Sequence, residues 1–169
     1  MAQESISKIG IIGGGPAGCF CAYFLQNTCD VTVFDYGSPL RTLLVTGGGR
    51  CNLAHAEFDF RELAKNYPRG EKFLYSVFSK FSTADTLKFF NNIGVETYIQ
   101  EDMRIFPVSN SAKDVREKFL HSLNKTKFKK ERALRIEQNP LRIITDCSSH
   151  KFDKIIICLL YTSPSPRDA

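Results

Sequence analysis

The residues whose types and spacing could do chemistry stand near the start of the chain, in Gly13-Gly14-Gly15-Pro16-Ala17-Gly18. They fit G-x-G-x-x-G, a pattern that holds a diphosphate when a strand precedes it, a helix follows it and an acid lies about 20 residues on. Each of these conditions is met. Lys8–Ile12 is a short apolar run suited to a buried parallel strand, and Pro16 stands where a helix would begin, at the position where its missing N–H costs nothing. Ala17, Phe20, Cys21, Phe24 and Leu25 recur at helical spacing and are expected to form the apolar face. Val31–Phe34 reads as a second strand, closed by Asp35. Within this βαβ unit Gly13 permits the tight turn, Gly15 lets a diphosphate approach the backbone, and Gly18 lets helix and strand pack closely. The helix start turns unpaired N–H groups and the positive end of its dipole toward the phosphates. Asp35 can accept hydrogen bonds from a ribose hydroxyl pair, and its charge disfavours a 2′-phosphate there. The spacing implies a dinucleotide, FAD or NAD in preference to NADP.

A second candidate is Gly47-Gly48-Gly49-Arg50-Cys51-Asn52, in a Gly-rich loop running from Tyr36 to about Ala56. Successive glycines free backbone N–H groups as anion donors, and Arg50 offers a planar fork matched to phosphate. His55, His121 and His150 fall in no catalytic or metal-ligating spacing, so no general acid or base can be named and no metal site is expected. Cys19 and Cys21, two apart on a helix, point in diverging directions and are expected to be packing residues.

The elements that must position these residues belong to an ordinary globule. At 169 residues, 43% hydrophobic and 24% charged, the chain is not globally disordered and can bury a core. A net charge of +5 suits an anionic small ligand but is too slight to argue for nucleic acid. The basic run Lys125, Lys127, Lys129, Lys130 and Arg132 lacks a stacking platform and reads as a solvated linker or edge strand. Met1–Lys8 has no basic, then apolar, leader, and Ile155–Leu160 is far shorter than the roughly 20 residues of a membrane span. A cytoplasmic chain with reduced thiols, no membrane and no nucleic-acid partner is expected.

Beyond the loop, helices are expected over Glu71–Phe81 and over Thr83–Ile93, the latter capped by Ser82 and stopped by Gly94. Val95–Ile99 and Met103–Val108 suggest a hairpin about Glu101-Asp102. Ser111-Ala-Lys-Asp114 resembles a capping box opening a helix with Ala112, Val115, Phe119 and Leu123 on one face. Ala133–Glu137, Leu141–Asp146 and Phe152–Cys158 read as three strands, separated by Gln138-Asn-Pro140 and Ser148-Ser-His150.

Leu43-Leu-Val-Thr-Gly-Gly-Gly-Arg-Cys-Asn-Leu53 closely resembles the T-G-x-G-R-C-N segment of the NAD(P)/FAD-dependent oxidoreductases, FAD-binding flavoproteins of aminoacetone-oxidase type. Arg104-Ile-Phe-Pro-Val-Ser-Asn-Ser-Ala-Lys-Asp-Val115 looks like a second signature of that family, and the resemblance runs from about Ile9 to Cys158. It implies an α/β, Rossmann-like FAD-binding domain of the two-dinucleotide-binding type: a parallel sheet, a three-stranded β-meander and an inserted substrate domain. By that likeness Gly13, Gly15, Pro16, Ala17 and Gly18 would cradle the FAD pyrophosphate and Asp35 would hold the adenosine ribose. Gly47, Gly48, Gly49, Arg50, Cys51 and Asn52 would run along the pyrophosphate toward the flavin, with Arg50 supplying positive charge and Cys51 structural or flavin-lining. The implied reaction is hydride transfer between FAD and NAD(P)H or a small organic substrate, with the flavin doing the redox step.

The family pattern continues past its last strand into a Thr-Gly-Gly turn, whereas here Cys158 is followed by Leu159-Leu160-Tyr161 and a Ser/Pro-rich stretch. Residues 1–158 are therefore expected to be the N-terminal portion of a larger FAD-binding domain, not competent alone, and 159–169 a non-native or disordered tail. The alternative is a non-catalytic module binding NAD or FAD.

Overall fold

The computed structural model describes residues 6–159. In chain order its first elements are β1 (Lys8–Ile12), α1 (Pro16–Leu25), β2 (Asp30–Asp35), a 3-10 segment (Arg41–Gly49) and β3 (Ala54–His55). Then come α2 (Phe60–Lys65), α3 (Glu71–Phe78), α4 (Thr83–Asn92), β4 (Thr97–Ile99), β5 (Arg104–Pro107) and α5 (Ala112–Ser122). The last are β6 (Lys127–Lys130), β7 (Ala133–Glu137), β8 (Arg142–Thr145), β9 (Ser149–Lys151) and β10 (Lys154–Ile157). They divide into two compact units, one made of the chain up to Thr42 and from Leu123 onward, the other of Leu43–Ser122.

The first unit is built on a parallel sheet ordered β10-β1-β2-β6. Its inner strands are near-continuous apolar runs because both faces are covered: Ile9, Ile11 and Ile12 of β1 and Val31, Val33 and Phe34 of β2 are buried. The basic run is indeed an edge strand, β6, exposed along its length, where lysines discourage pairing with other chains. The meander β7-β8-β9 packs over the sheet. A Cβ on Gly10 would sit only 2.7 Å from Ile143 and 2.8 Å from Phe152. Ile12, Phe34, Ile143 and Phe152 form the shared core.

Two expectations fail here. The buried face of α1 is Gly18, Cys19 and Ala22, while Phe24 is 57% exposed, so the helix lies down on its small residues and turns its aromatics aside. Close approach to the sheet is the reason, since Gly18 sits against the Gly13 carbonyl. The turn expected at Ser148-Ser-His150 instead leads into β9, the third strand of the meander, while the strand expected from Phe152 forms as β10 and joins the parallel sheet beside β1.

The second unit carries an antiparallel sheet, β3-β5-β4, which includes the expected hairpin. Its α4 opens on a capping box between Ser82 and Asp85 and ends at Gly94, whose φ is 81°. Ala112, Val115 and Phe119 of α5 are buried as expected. One boundary differs, since α3 ends at Phe78, and a short unexpected helix, α2, precedes it, capped by Asp59 through the N–H groups of Arg61 and Glu62.

Candidate dinucleotide-binding site

In the first unit the turn between β1 and α1 is shaped by steric need at two of its glycines and left open at a third. Gly13 has φ 109°, and a Cβ there would strike the Cys158 carbonyl. One on Gly18 would collide with the Gly13 carbonyl. Gly15 differs: its backbone is ordinary (φ −74°, ψ −176°), as suits a residue before proline, and nothing lies within 4 Å of where its Cβ would be. Among the described residues none requires glycine there, and the space beside its Cα is open. Pro16 occupies the first helical turn, where the N–H groups of Ala17 and Gly18 have no acceptor within the helix. Behind the turn the Cys19 thiol donates to the Gly14 carbonyl at 3.4 Å, a packing role as expected.

Asp35, at the end of β2, is held from both sides. One carboxylate oxygen accepts from the Gly14 N–H at 2.7 Å and the other from the Gly37 N–H at 2.7 Å. The Leu40 N–H in turn donates to the Gly14 carbonyl at 2.8 Å. Each carboxylate oxygen retains a lone pair for a further donor. Asp35 also lines two clefts of about 280 Å³: one with Ile12, Gly13, Tyr36 and Glu131, the other with Ser38, Phe128 and Lys130. Beside the first cleft Glu131 accepts from Thr145 (2.7 Å), His150 (2.8 Å) and Lys129 (3.3 Å). Burial works against that carboxylate, but these hydrogen bonds outweigh it and bring its pKa from 4.5 to about 2.

In the second unit Gly47, Gly48 and Gly49 all take positive φ, at 55°, 66° and 84°, and Cys51 follows at 65°. The loop closes through the Cys51 N–H to the Thr46 carbonyl (3.1 Å) and the Arg50 N–H to the Gly47 carbonyl (3.3 Å). Gly47 rests on the Phe106 ring, 3.0 Å from where its Cβ would be, while Gly48 and Gly49 face open space and Asn52 is exposed. The Arg50 guanidinium lies over the same ring, 4.1 Å from its centre, and donates to Gln100 Oε1 at 3.1 Å. The Cys51 side chain is 1% exposed, in a core cluster with Val95, Ala112 and Val115. Burial pushes its thiol pKa up, with only partial relief from a Thr46 hydrogen bond, which disfavours the thiolate.

Sequence reasoning missed Gly37, Leu40, Gln100 and Phe106. For Gly37 a signal existed, an Asx-type turn two residues after Asp35. Phe106 lies in the Arg104–Val115 signature but nothing in it pointed to Arg50, and Gln100 carries no signal, because only the pairing of β4 with β5 brings them to Arg50.

Residues 7–159 match the family described as HI0933-like protein Rossmann domain, almost the whole described chain. The chain belongs to this family, a family of FAD-binding oxidoreductases. It is 31% identical over 138 residues to the 3-dehydro-bile acid delta(4,6)-reductase of Clostridium scindens, a match covering 78% of this chain and 32% of that protein. The chain thus spans about a third of its curated relative. Among solved structures it resembles THI4 of Thermovibrio ammonificans (TM-score 0.52, 13% identity, 89% of this chain and 55% of that one). It also resembles the Diels-Alderase PyrE3 of pyrroindomycin biosynthesis (TM-score 0.51, 12% identity, 90% and 32%). At such identities the likeness is one of fold. The fold is thus the Rossmann-like α/β domain of flavin-dependent oxidoreductases, and the cofactor class is a flavin. Among the described residues no helix is long and apolar enough to cross a membrane.

Proposed function

We propose that Gly13, Gly15, Ala17 and Gly18 hold the FAD pyrophosphate, that Asp35 holds the adenosine ribose, and that Gly47–Asn52 serve the flavin side. The observation that carries this reading is the open space over Gly15, at the start of a helix and one residue from the Gly14–Asp35 hydrogen bond. Pro16 sets the helix entry angle, and the N–H groups of Ala17 and Gly18 are the anion donors. With its thiol in the core, Cys51 serves through its backbone, keeping the loop at positive φ. FAD would supply a two-electron acceptor for a hydride from NAD(P)H or a small organic substrate. The chain's own part is to bind, orient and surround it with fixed charge.

The test is a titration of the full chain with FAD, followed by flavin fluorescence, beside Gly15→Val. Saturable binding by the parent chain and none by a folded variant is the expected result, because the valine would fill the phosphate space. Equal flavin binding by both would refute the assignment of Gly15. Binding of NAD without flavin would move the chain to the class of non-catalytic nucleotide-binding modules.

A further inference from the structure

Arg50 does not hold itself. Its guanidinium sits on Phe106, which is fully buried, and one of its nitrogens donates to Gln100 Oε1. Among the described residues no carboxylate pairs with it, although Arg104, 5.5 Å from the centre of the same ring, is tied to Asp102 by donors at 2.7 Å and 2.5 Å. The two arginines thus share a platform but not a fate. Arg104 is neutralised, while Arg50 keeps its charge and its remaining donors.

What orients Arg50 is a short relay. Asp102 accepts from the Gln100 side-chain amide at 3.4 Å, which turns the amide oxygen of Gln100 toward Arg50. The backbone fixes Gln100 as well: its N–H donates to the Arg104 carbonyl at 2.8 Å and its carbonyl accepts from the Met103 N–H at 2.9 Å, closing the turn between β4 and β5. A neutral amide is the right partner for this task. It directs one donor and leaves the positive charge uncancelled for an anionic or electron-rich group approaching the glycine loop.

We propose that Gln100 is the positioning residue for Arg50, holding its guanidinium over Phe106 as an uncompensated cation beside Gly47–Gly49. Its effect on cofactor rests on the reading of that loop given above; its hold on Arg50 does not.

The experiment therefore reads both. Arg50 in the full chain is modified with phenylglyoxal, and the rate is followed by peptide mass spectrometry, with and without FAD, in the parent, Gln100→Leu and Gln100→Glu. Loss of a hydrogen bond to a charged group corresponds to about ten-fold in an equilibrium, so Gln100→Leu should raise Arg50 modification several-fold and weaken FAD about ten-fold. Gln100→Glu keeps an acceptor for Arg50 but loses the amide that donates to Asp102 and cancels the guanidinium charge, so it should keep Arg50 modification slow yet weaken FAD, a split that a merely structural defect would not produce. Unchanged Arg50 reactivity in a folded Gln100→Leu chain overturns the proposal. FAD that binds the parent without shielding Arg50 refutes the flavin-side reading of the loop, while accelerated modification in Gln100→Leu would still support Gln100 as its anchor.

Discussion

Gly15 and Gly18 are both glycines, but different things would collide with their side chains. At Gly18 the obstacle is the chain itself, the Gly13 carbonyl, so Gly18→Ala must displace helix or strand. A cost of about 1–3 kcal/mol and a melting temperature lower by several degrees are expected, measured by circular dichroism. At Gly15 there is no such obstacle, so Gly15→Ala should melt like the parent yet bind FAD more weakly in the fluorescence titration. A shared loss of stability would mean that the turn, not a ligand, demands both glycines. The packing role of Gly18 was legible in the spacing alone, because steric rules for a strand–turn–helix are local. The partners of Asp35 were only half legible. Its place at the end of β2 follows from the pattern, but its grip on Gly14 requires the parallel register of β1 with β2.

At the level of elements, the expectations that held rest on near-neighbour signals: the Ser82 cap, the Gly94 stop and the Ala112–Phe119 stripe. The failures rest on packing. Hydrophobic spacing assigned the aromatics of α1 to the core, but a helix pressed onto a sheet through Gly18, Cys19 and Ala22 leaves no room for them. The β9 strand is Ser149-His150-Lys151, too polar to look like a strand, and its evidence is tertiary: His150 packs on Phe34 at 5.0 Å and bonds to Glu131. That bond yields a pH prediction. The folded pKa of Glu131 is about 2 against 4.5 ordinarily, so its contribution is complete above about pH 4.5 and lost as pH falls toward 2. Glu131→Gln should cost about 1–3 kcal/mol in urea unfolding at pH 7 and progressively less between pH 4.5 and 2. A difference that does not shrink with acid would show that the carboxylate charge is not what holds the meander.

At the scale of the whole molecule, the fold class was legible because a βαβ unit with its glycines is a short-range pattern. The division into two units was not, since it depends on which segments return to the sheet after Ser122. Large apolar side chains remain exposed in both units, among them Phe24 at 57% in the first and Phe73 at 71% in the second. Phe24 stands against Phe20 and Tyr23 at ring separations of 5.0 and 5.3 Å, an exposed aromatic cluster, so the purified chain should bind a hydrophobic dye and sediment with a concentration-dependent mass. Ideal monomeric sedimentation without dye binding would contradict this. The parallel sheet, meanwhile, has two unlike margins. β6 is fenced by lysines, whereas β10 offers Ile155, Ile156 and Ile157, the last 61% exposed. Among the described residues the two borders therefore differ in charge: a strand arriving at β6 meets three lysines, one arriving at β10 meets only Lys154 at its start, and β10 ends beside the glycine turn.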